Sequence, residues 1–230
     1  MAVNEAVYKT ITEELSNSNV QLVAVSKVQT VEDIKRLYDL GQRDFGENYV
    51  QELVEKQALL PADIRWHFIG HLQSNKVKLI APFVHLVQGV DSLKLLVEIN
   101  KQSKKFDRII HCLLQVHIAQ EETKFGLDEN ELAEIIDLLQ NKPEQFSNIF
   151  IDGLMGMASF SDNMQKVRSE MKYLKSLFDK YKTLSPGSCQ DHCHLSTLSM
   201  GMSGDYKMAI EEGSNMVRIG SLLFGARVKK

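Results

Sequence analysis

Apolar, β-branched runs alternate with amphipathic helical stretches from one end of the chain to the other, and eight such alternations follow an opening helical segment within residues 1–17. The strand-like runs cover residues 20–26, 43–46, 65–70, 85–90, 111–117, 149–155, 198–202 and 216–220. Between them lie helical patterns over residues 31–40, 49–58, 92–102, 130–139 and 163–181. Strands separated by helices must run parallel, because a crossover helix returns the chain to the same end of the sheet. Eight units in 230 residues predict a small (β/α)8 TIM barrel of α/β class with an extra N-terminal helix. A doubly wound open sheet is the competing architecture. The four prolines are scattered and no Gly/Ser-rich linker interrupts the rhythm, so residues 1–230 are expected to form a single domain.

Composition narrows the partners. A formal net charge of -3 supplies no basic face for a phosphate backbone, so nucleic acid is not expected. No apolar run reaches membrane-spanning length, and the polar start lacks the charged, apolar and small-residue segments of a secretory signal. A cytoplasmic protein with three free thiols is expected, and a monomer.

The first strand ends in Ala24-Val25-Ser26-Lys27. In a barrel that end is the active face. An amine held among apolar neighbours loses hydration of its charged form and becomes available as a nucleophile toward an aldehyde. At the other end of the chain, Leu198 to Asp205 and Met216 to Ser221 each read as a strand running into a glycine-bearing turn and a helix start. Small residues there let the backbone approach an anion, and a phosphate cradle after strands seven and eight is a recurrent barrel device. Alternation in strand eight puts Met216, Arg218 and Gly220 on one face and Val217 and Ile219 on the other, so Arg218 is expected to point into the barrel mouth. Barrel closure then brings Lys27, Arg218 and both turns together. A salt bridge of Arg218 with Glu47 is the purely structural alternative.

Several further motifs sharpen the picture: Phe45-Gly46-Glu47-Asn48-Tyr49, Trp66 to Lys76, Gly153-Leu154-Met155, and Val217-Arg218-Ile219-Gly220 running to Phe224-Gly225-Ala226-Arg227. With the segments above they resemble, nearly end to end, the pyridoxal phosphate homeostasis protein family, whose members share the barrel of the alanine racemase N-terminal domain. The resemblance implies pyridoxal 5′-phosphate held as an aldimine on Lys27, with Arg218 facing the pyridine nitrogen. It implies phosphate binding by Ser203, Gly204, Gly220 and Ser221, and it places Asn48 near the cofactor. Ser221 stands where many relatives have threonine. Glu121 to Gly126 is similar to the family's Glu-Glu-Ser-Lys-Ser-Gly loop with Phe125 as a departure, and Gly156-Met157-Ala158 also varies from the commoner pattern.

The function so implied is intracellular storage, protection or delivery of the cofactor, with pyridoxal 5′-phosphate-dependent apoenzymes as recipients and no turnover. An arginine opposite the ring nitrogen cannot accept a proton from it, so the ring is a weakened electron sink. Racemase relatives also draw a second acid/base from an additional domain, for which this chain has no room. The alternative function is a small amino-acid racemase in which Tyr49, a histidine or water moves the second proton. Lys76 and Lys124 are candidate secondary lysines for the cofactor. Cys189, His192, Cys193 and His194 resemble metal ligands without standard spacing, and are read as a loop before strand seven near the opposite barrel face. His67 and His71 are read as structural histidines on one face of strand three, and Met155, Met157, Met200 and Met202 as adaptable packing around the site.

Overall fold

A computed structural model describes residues 3–119, 125–182 and 192–225. Eight parallel strands close into a barrel in sequence order: β1 (Gln21–Val25), β2 (Asp44–Glu47), β3 (Arg65–Phe68), β4 (Leu86–Val90), β5 (Ile110–Val116), β6 (Ile149–Gly156), β7 (Cys193–Met202) and β8 (Met216–Ile219). The open-sheet alternative is therefore set aside. Closure is made by β1 against β8, with Val23 opposite Arg218 and Ala24 opposite Ile219. The N-terminal helix α1 (Glu5–Asn17) packs outside the barrel, and its start is tied to the far end of the chain by Asn4 N–H donating to the Leu223 carbonyl at 2.8 Å.

The crossovers carry α2 (Val31–Asp39), α3 (Val50–Leu59), α4 (Val77–Ile80), α5 (Leu93–Lys105), α6 (Glu129–Asn141), α7 (Met164–Lys182), α8 (Tyr206–Glu211) and α9 (Ser221–Phe224). Their starts are written in the sequence: Thr30, Ser92 and Asp128 cap α2, α5 and α6, and Asp128 with Glu131 forms a reciprocal capping box. Each amphipathic helix lays its apolar stripe on the outer barrel surface, as Ile34 and Leu37 do from α2 and Leu174 and Phe178 from α7. Helix α4 was not expected from the sequence, because one turn of helix is too short to display a 3.6-residue period, whereas α8 and α9 are the helix starts expected after strands seven and eight.

Strand limits differ from expectation at two places. Strand seven begins at Cys193 rather than at residue 198, so Cys193 and His194 belong to the strand and not to a preceding loop. Its first half alternates buried and exposed residues at the barrel's lower end, with Cys193 opposite Ile151. Strand three stops at Phe68, so His71 shares no strand face with His67. Cys189 lies outside the described residues.

Inside the barrel, side chains stack in layers, as parallel closure demands. An apolar middle is built by Val23, Leu86, Leu113, Met155 and Met216, with Met157 against it. Along β1 the inward positions read Gln21, Val23 and Val25, facing the lower mouth, the middle and the upper mouth in turn.

Candidate functional site at the upper mouth

The turn after β1 carries Lys27, half-buried at the C-terminal mouth. A network of buried charges fastens this turn. Ser26 Oγ donates to Glu47 Oε1 at 2.6 Å, and Lys56 Nζ donates to Glu47 Oε1 and to the Ser26 carbonyl, both at 2.8 Å. Lys56 also donates to Glu52 Oε2 at 2.9 Å, and that oxygen accepts the Val28 N–H at 2.8 Å. Val28 adopts φ 65, a left-handed conformation that a β-branched residue rarely takes. Glu47 and Lys56 thus hold Ser26, and Glu52 holds Val28, on either side of Lys27. The alternative pairing of Glu47 with Arg218 is not what forms: Glu47 is engaged by Lys56 and Ser26. Burial pushes the Glu47 carboxyl above its ordinary range, with Lys56 and the Ser26 hydrogen bond pulling the other way.

The two glycine turns meet. Gly220 N–H donates to Ser203 Oγ at 3.2 Å, joining the turn after β7 to the turn after β8. Gly201, at φ 92, starts the first of these turns, and a Cβ there would lie 2.5 Å from the Ala209 side chain. Arg218 points inward, as strand alternation requires. Its Nη1 donates to Ser199 Oγ at 2.6 Å and its Nη2 to the Gly156 carbonyl at 3.0 Å. Burial lowers its pKa to about 10, with nearby Asp205 acting in the opposite direction, so it remains a cation at neutral pH.

Lys27, Asn48, Ser203, Gly204, Arg218, Gly220 and Ser221 all line one cavity of about 630 Å³. The sequence reading missed Asp162 and Asp205, and also Phe160, which is 99% exposed at the rim. Asp205 accepts the Met202 N–H at 2.6 Å, a short-range turn bond that a Met-Ser-Gly-Asp sequence permits. Met157 and Met202 line the cavity, whereas Met155 belongs to the apolar middle layer and Met200 to the helix-facing core. Tyr49 is exposed and does not line the cavity, and among the described lining residues there is no histidine. Lys76 is exposed and away from it. Lys124 and Glu121 to Thr123 fall outside the described residues. Phe125 stacks on His71, with ring centroids 4.0 Å apart, and His71 also pairs with Asp91.

From this cavity a chain of hydrogen bonds descends through the barrel. Arg218 donates to Ser199 Oγ, Ser199 Oγ donates to Gln88 Oε1 at 2.8 Å, and Gln88 Nε2 donates to His67 Nδ1 at 3.0 Å. An amide nitrogen only donates, so His67 Nδ1 must accept and its proton sits on Nε2, directed at Asp44 Oδ1 3.0 Å away. Arg65 closes the chain from below, donating to both Asp44 oxygens. His67 is therefore buried and structurally satisfied, as expected.

The alanine racemase N-terminal domain family matches residues 5–228. A pyridoxal phosphate homeostasis protein of Pasteurella multocida is 40% identical over 215 residues, covering 91% of this chain and 88% of its own. The solved structure of PipY from Synechococcus elongatus with pyridoxal phosphate bound is 32% identical, with a TM-score of 0.82 over 95% of this chain and 100% of that one. An alanine racemase of Clostridium difficile shares the fold at 16% identity and a TM-score of 0.74, and this chain covers 59% of its length.

Proposed function

The chain belongs to the pyridoxal phosphate homeostasis protein family, built on the alanine racemase N-terminal domain, and we propose that it binds pyridoxal 5′-phosphate reversibly through Lys27 in order to store, protect or hand on that cofactor rather than to turn over an amino acid. The observation that carries this reading is convergence: an amine from β1, a guanidinium from β8 and two glycine-bearing turns share one cavity, although some two hundred residues separate them. The cavity's volume lies within the roughly 300–1,000 Å³ usual for small-molecule sites.

The donor set fits the cofactor. Asn48 Oδ1 is buried without a hydrogen-bond partner among the described residues and lines the cavity, which is the state of an atom awaiting a ligand. A Cβ added at Gly204 would meet nothing within 4 Å, so the protein's own packing leaves the space beside this turn open. In the proposed arrangement Ser203, Gly204, Gly220 and Ser221 bind the phosphate, Arg218 faces the ring nitrogen, and Asn48 lies beside the ring. When bound, the cofactor supplies an aldehyde that condenses reversibly with primary amines. Lys27 provides such an amine, losing water on capture, and exchange with an incoming amine releases the cargo without any change of redox state. Arg218 keeps its proton and offers no lone pair, so it does not lend the ring nitrogen a proton.

Holding rather than turnover is favoured because the described lining residues include neither a tyrosine nor a histidine to serve as a second proton shuttle. The same reading makes cofactor-dependent apoenzymes the recipients, a single barrel domain the working monomer, and the cytoplasm its location. No helix among the described residues is long and apolar enough to cross a membrane. Borohydride reduction of the loaded protein followed by peptide mapping is expected to label Lys27 once per chain, with the visible absorbance and the label both lost in Lys27→Ala. A label that survives this substitution would overturn the assignment. Solvent-deuterium exchange at the α-carbon of common amino acids is expected to be absent, and its appearance would restore the racemase reading.

A further inference from the structure

The lower mouth of the barrel holds side chains that cofactor binding does not use. A second cavity, of about 230 Å³, opens at the N-terminal ends of the strands and is lined by His67, His85, His111 and Asp152 among others. Together with Asp44 beside it, the lining residues His67 and His85 bring one carboxylate oxygen and two imidazole nitrogens within 4.8 Å of one another. We propose that these three residues form a binding site for a divalent first-row transition cation of the Zn²⁺, Ni²⁺ or Cu²⁺ type.

The donor chemistry selects that class. Two imidazoles and one carboxylate suit borderline transition ions, whereas Ca²⁺ and Mg²⁺ seek mostly oxygen ligands. Spacing agrees. Metal–nitrogen and metal–oxygen bonds of roughly 2.0–2.2 Å set two ligands on one ion about 3.0–3.4 Å apart. Asp44 Oδ1 and His67 Nε2 are 3.0 Å apart, so an ion can take the place of the proton now shared between them. The rings of His67 and His85 are tilted with centroids 5.5 Å apart, and His85 sits at the cavity rim where its ring can turn to complete the set.

The surroundings accommodate the exchange. When an ion occupies Nε2, the His67 proton moves to Nδ1, and the Gln88 amide rotates so that its carbonyl accepts that proton. Rotation gives up the weak contact of Gln88 Nε2 with Met216 Sδ at 3.3 Å and reverses the bond to Ser199: the rotated Nε2 donates to Ser199 Oγ, whose own proton loses the Gln88 acceptor. No proton is released and nothing is oxidised. Such outer-shell partners fix the tautomer of metal-bound histidines. Arg65 is the competing cation. It grips Asp44 through Nε at 2.7 Å and Nη2 at 2.5 Å, but its side chain is 46% exposed and can swing into solvent. The pair His111 Nδ1 and Asp152 Oδ2, 2.8 Å apart, faces the same space as a source of further donors.

The test needs no bound cofactor, so its failure leaves the proposed function untouched. Purified full-length protein, with its accessible thiols alkylated, is titrated with Zn²⁺ by calorimetry and with Co²⁺ by visible absorption. One equivalent is expected to bind, with the d–d bands of nitrogen-ligated Co²⁺. His85→Ala, at the rim and not in the core, is expected to weaken Zn²⁺ at least about tenfold with circular dichroism unchanged. Arg65→Ala is expected to tighten Zn²⁺ several-fold, a gain that a merely structural ion pair would not produce. Absence of binding at free Zn²⁺ on the order of 100 µM, or equal affinity in wild type and His85→Ala, would overturn the proposal.

Discussion

The two mouths of the barrel use polar side chains in opposite ways. At the upper mouth Asn48 Oδ1 is buried in the cavity wall with no hydrogen-bond partner among the described residues. At the lower mouth the Asp44 carboxylate is filled by Arg65 and His67, and His67 is in turn held by Gln88. Unsatisfied buried atoms cost free energy, so a fold keeps them where a ligand will complete them. The contrast teaches that Asn48 is placed for a visitor, whereas the Asp44–His67 pair is already satisfied and must exchange an existing bond to admit one. Between them runs the chain from Arg218 to Asp44, in which every donor points downward from cation to anion.

The largest expected effect breaks the upper mouth. Lys56→Met strands Glu47 as a buried carboxylate without its cation, and removing one partner of such a pair costs about 3–5 kcal/mol. Urea unfolding is expected to register that loss, and capture by Lys27 is expected to slow, because Lys56 also holds the Ser26 carbonyl beside it. The double variant Glu47→Leu/Lys56→Met should recover most of the stability but not the capture rate. Recovery of both would mean that the network does not hold Lys27 in place.

A smaller loss tests the connection between the mouths. Gln88→Leu leaves the Ser199 hydroxyl without its acceptor and His67 Nδ1 without its donor, both in the interior. Stability is expected to fall by about 1–3 kcal/mol, and the ¹⁵N shifts of His67 should show its proton redistributed between the two nitrogens. Unchanged shifts would mean that Gln88 does not set the tautomer.

The pH response should differ in sign from that of an ordinary surface carboxylate. Because burial raises the Glu47 pKa, the folded protein holds that proton more tightly than the unfolded chain does. Its contribution is complete below the ordinary glutamate range and is lost as pH rises through the raised value. The difference between the urea midpoints of wild type and Glu47→Gln should therefore shift against the wild type with rising pH. A flat difference would show that Lys56 fully compensates the charge.

How much of this was readable in the sequence depends on whether a feature repeats locally. The barrel was, because each strand and helix carries its own period. Arg218's inward direction was, because alternation within one strand fixes it, and the place of Lys27 at the upper mouth was, because it ends an apolar strand, while its role as the anchoring amine came only from the family resemblance. The lower-mouth cluster was not: Asp44, His67 and His85 come from three separate chain segments, and only barrel register puts them together. The Lys56 clamp was hidden for the same reason, since a nine-residue separation from Glu47 follows neither the helical nor the strand period. Strand seven was drawn too short because Cys193 to Thr197 is mostly polar on its exposed face, and alternation with small polar residues looks like loop.

The mildest prediction concerns a residue that opposes the proposed ligand. Asp205 lines the cavity beside the glycine turns, where a phosphate dianion is proposed to sit, and it also sustains the basicity of Arg218. Its carboxylate accepts the Met202 N–H, and an asparagine oxygen can accept the same bond. Asp205→Asn should therefore keep the turn while removing a repulsive charge. Near the protein surface such an interaction is worth about 1 kcal/mol or less, a few-fold tighter binding of the phosphate-bearing cofactor at low ionic strength. Screening makes the gain shrink as salt rises past about 0.15 M. Pyridoxal without its phosphate should bind the variant and the wild type alike. An equal gain for both ligands would place the anion elsewhere in the cavity, and no gain for either would mean that turn geometry, not charge, is what Asp205 contributes.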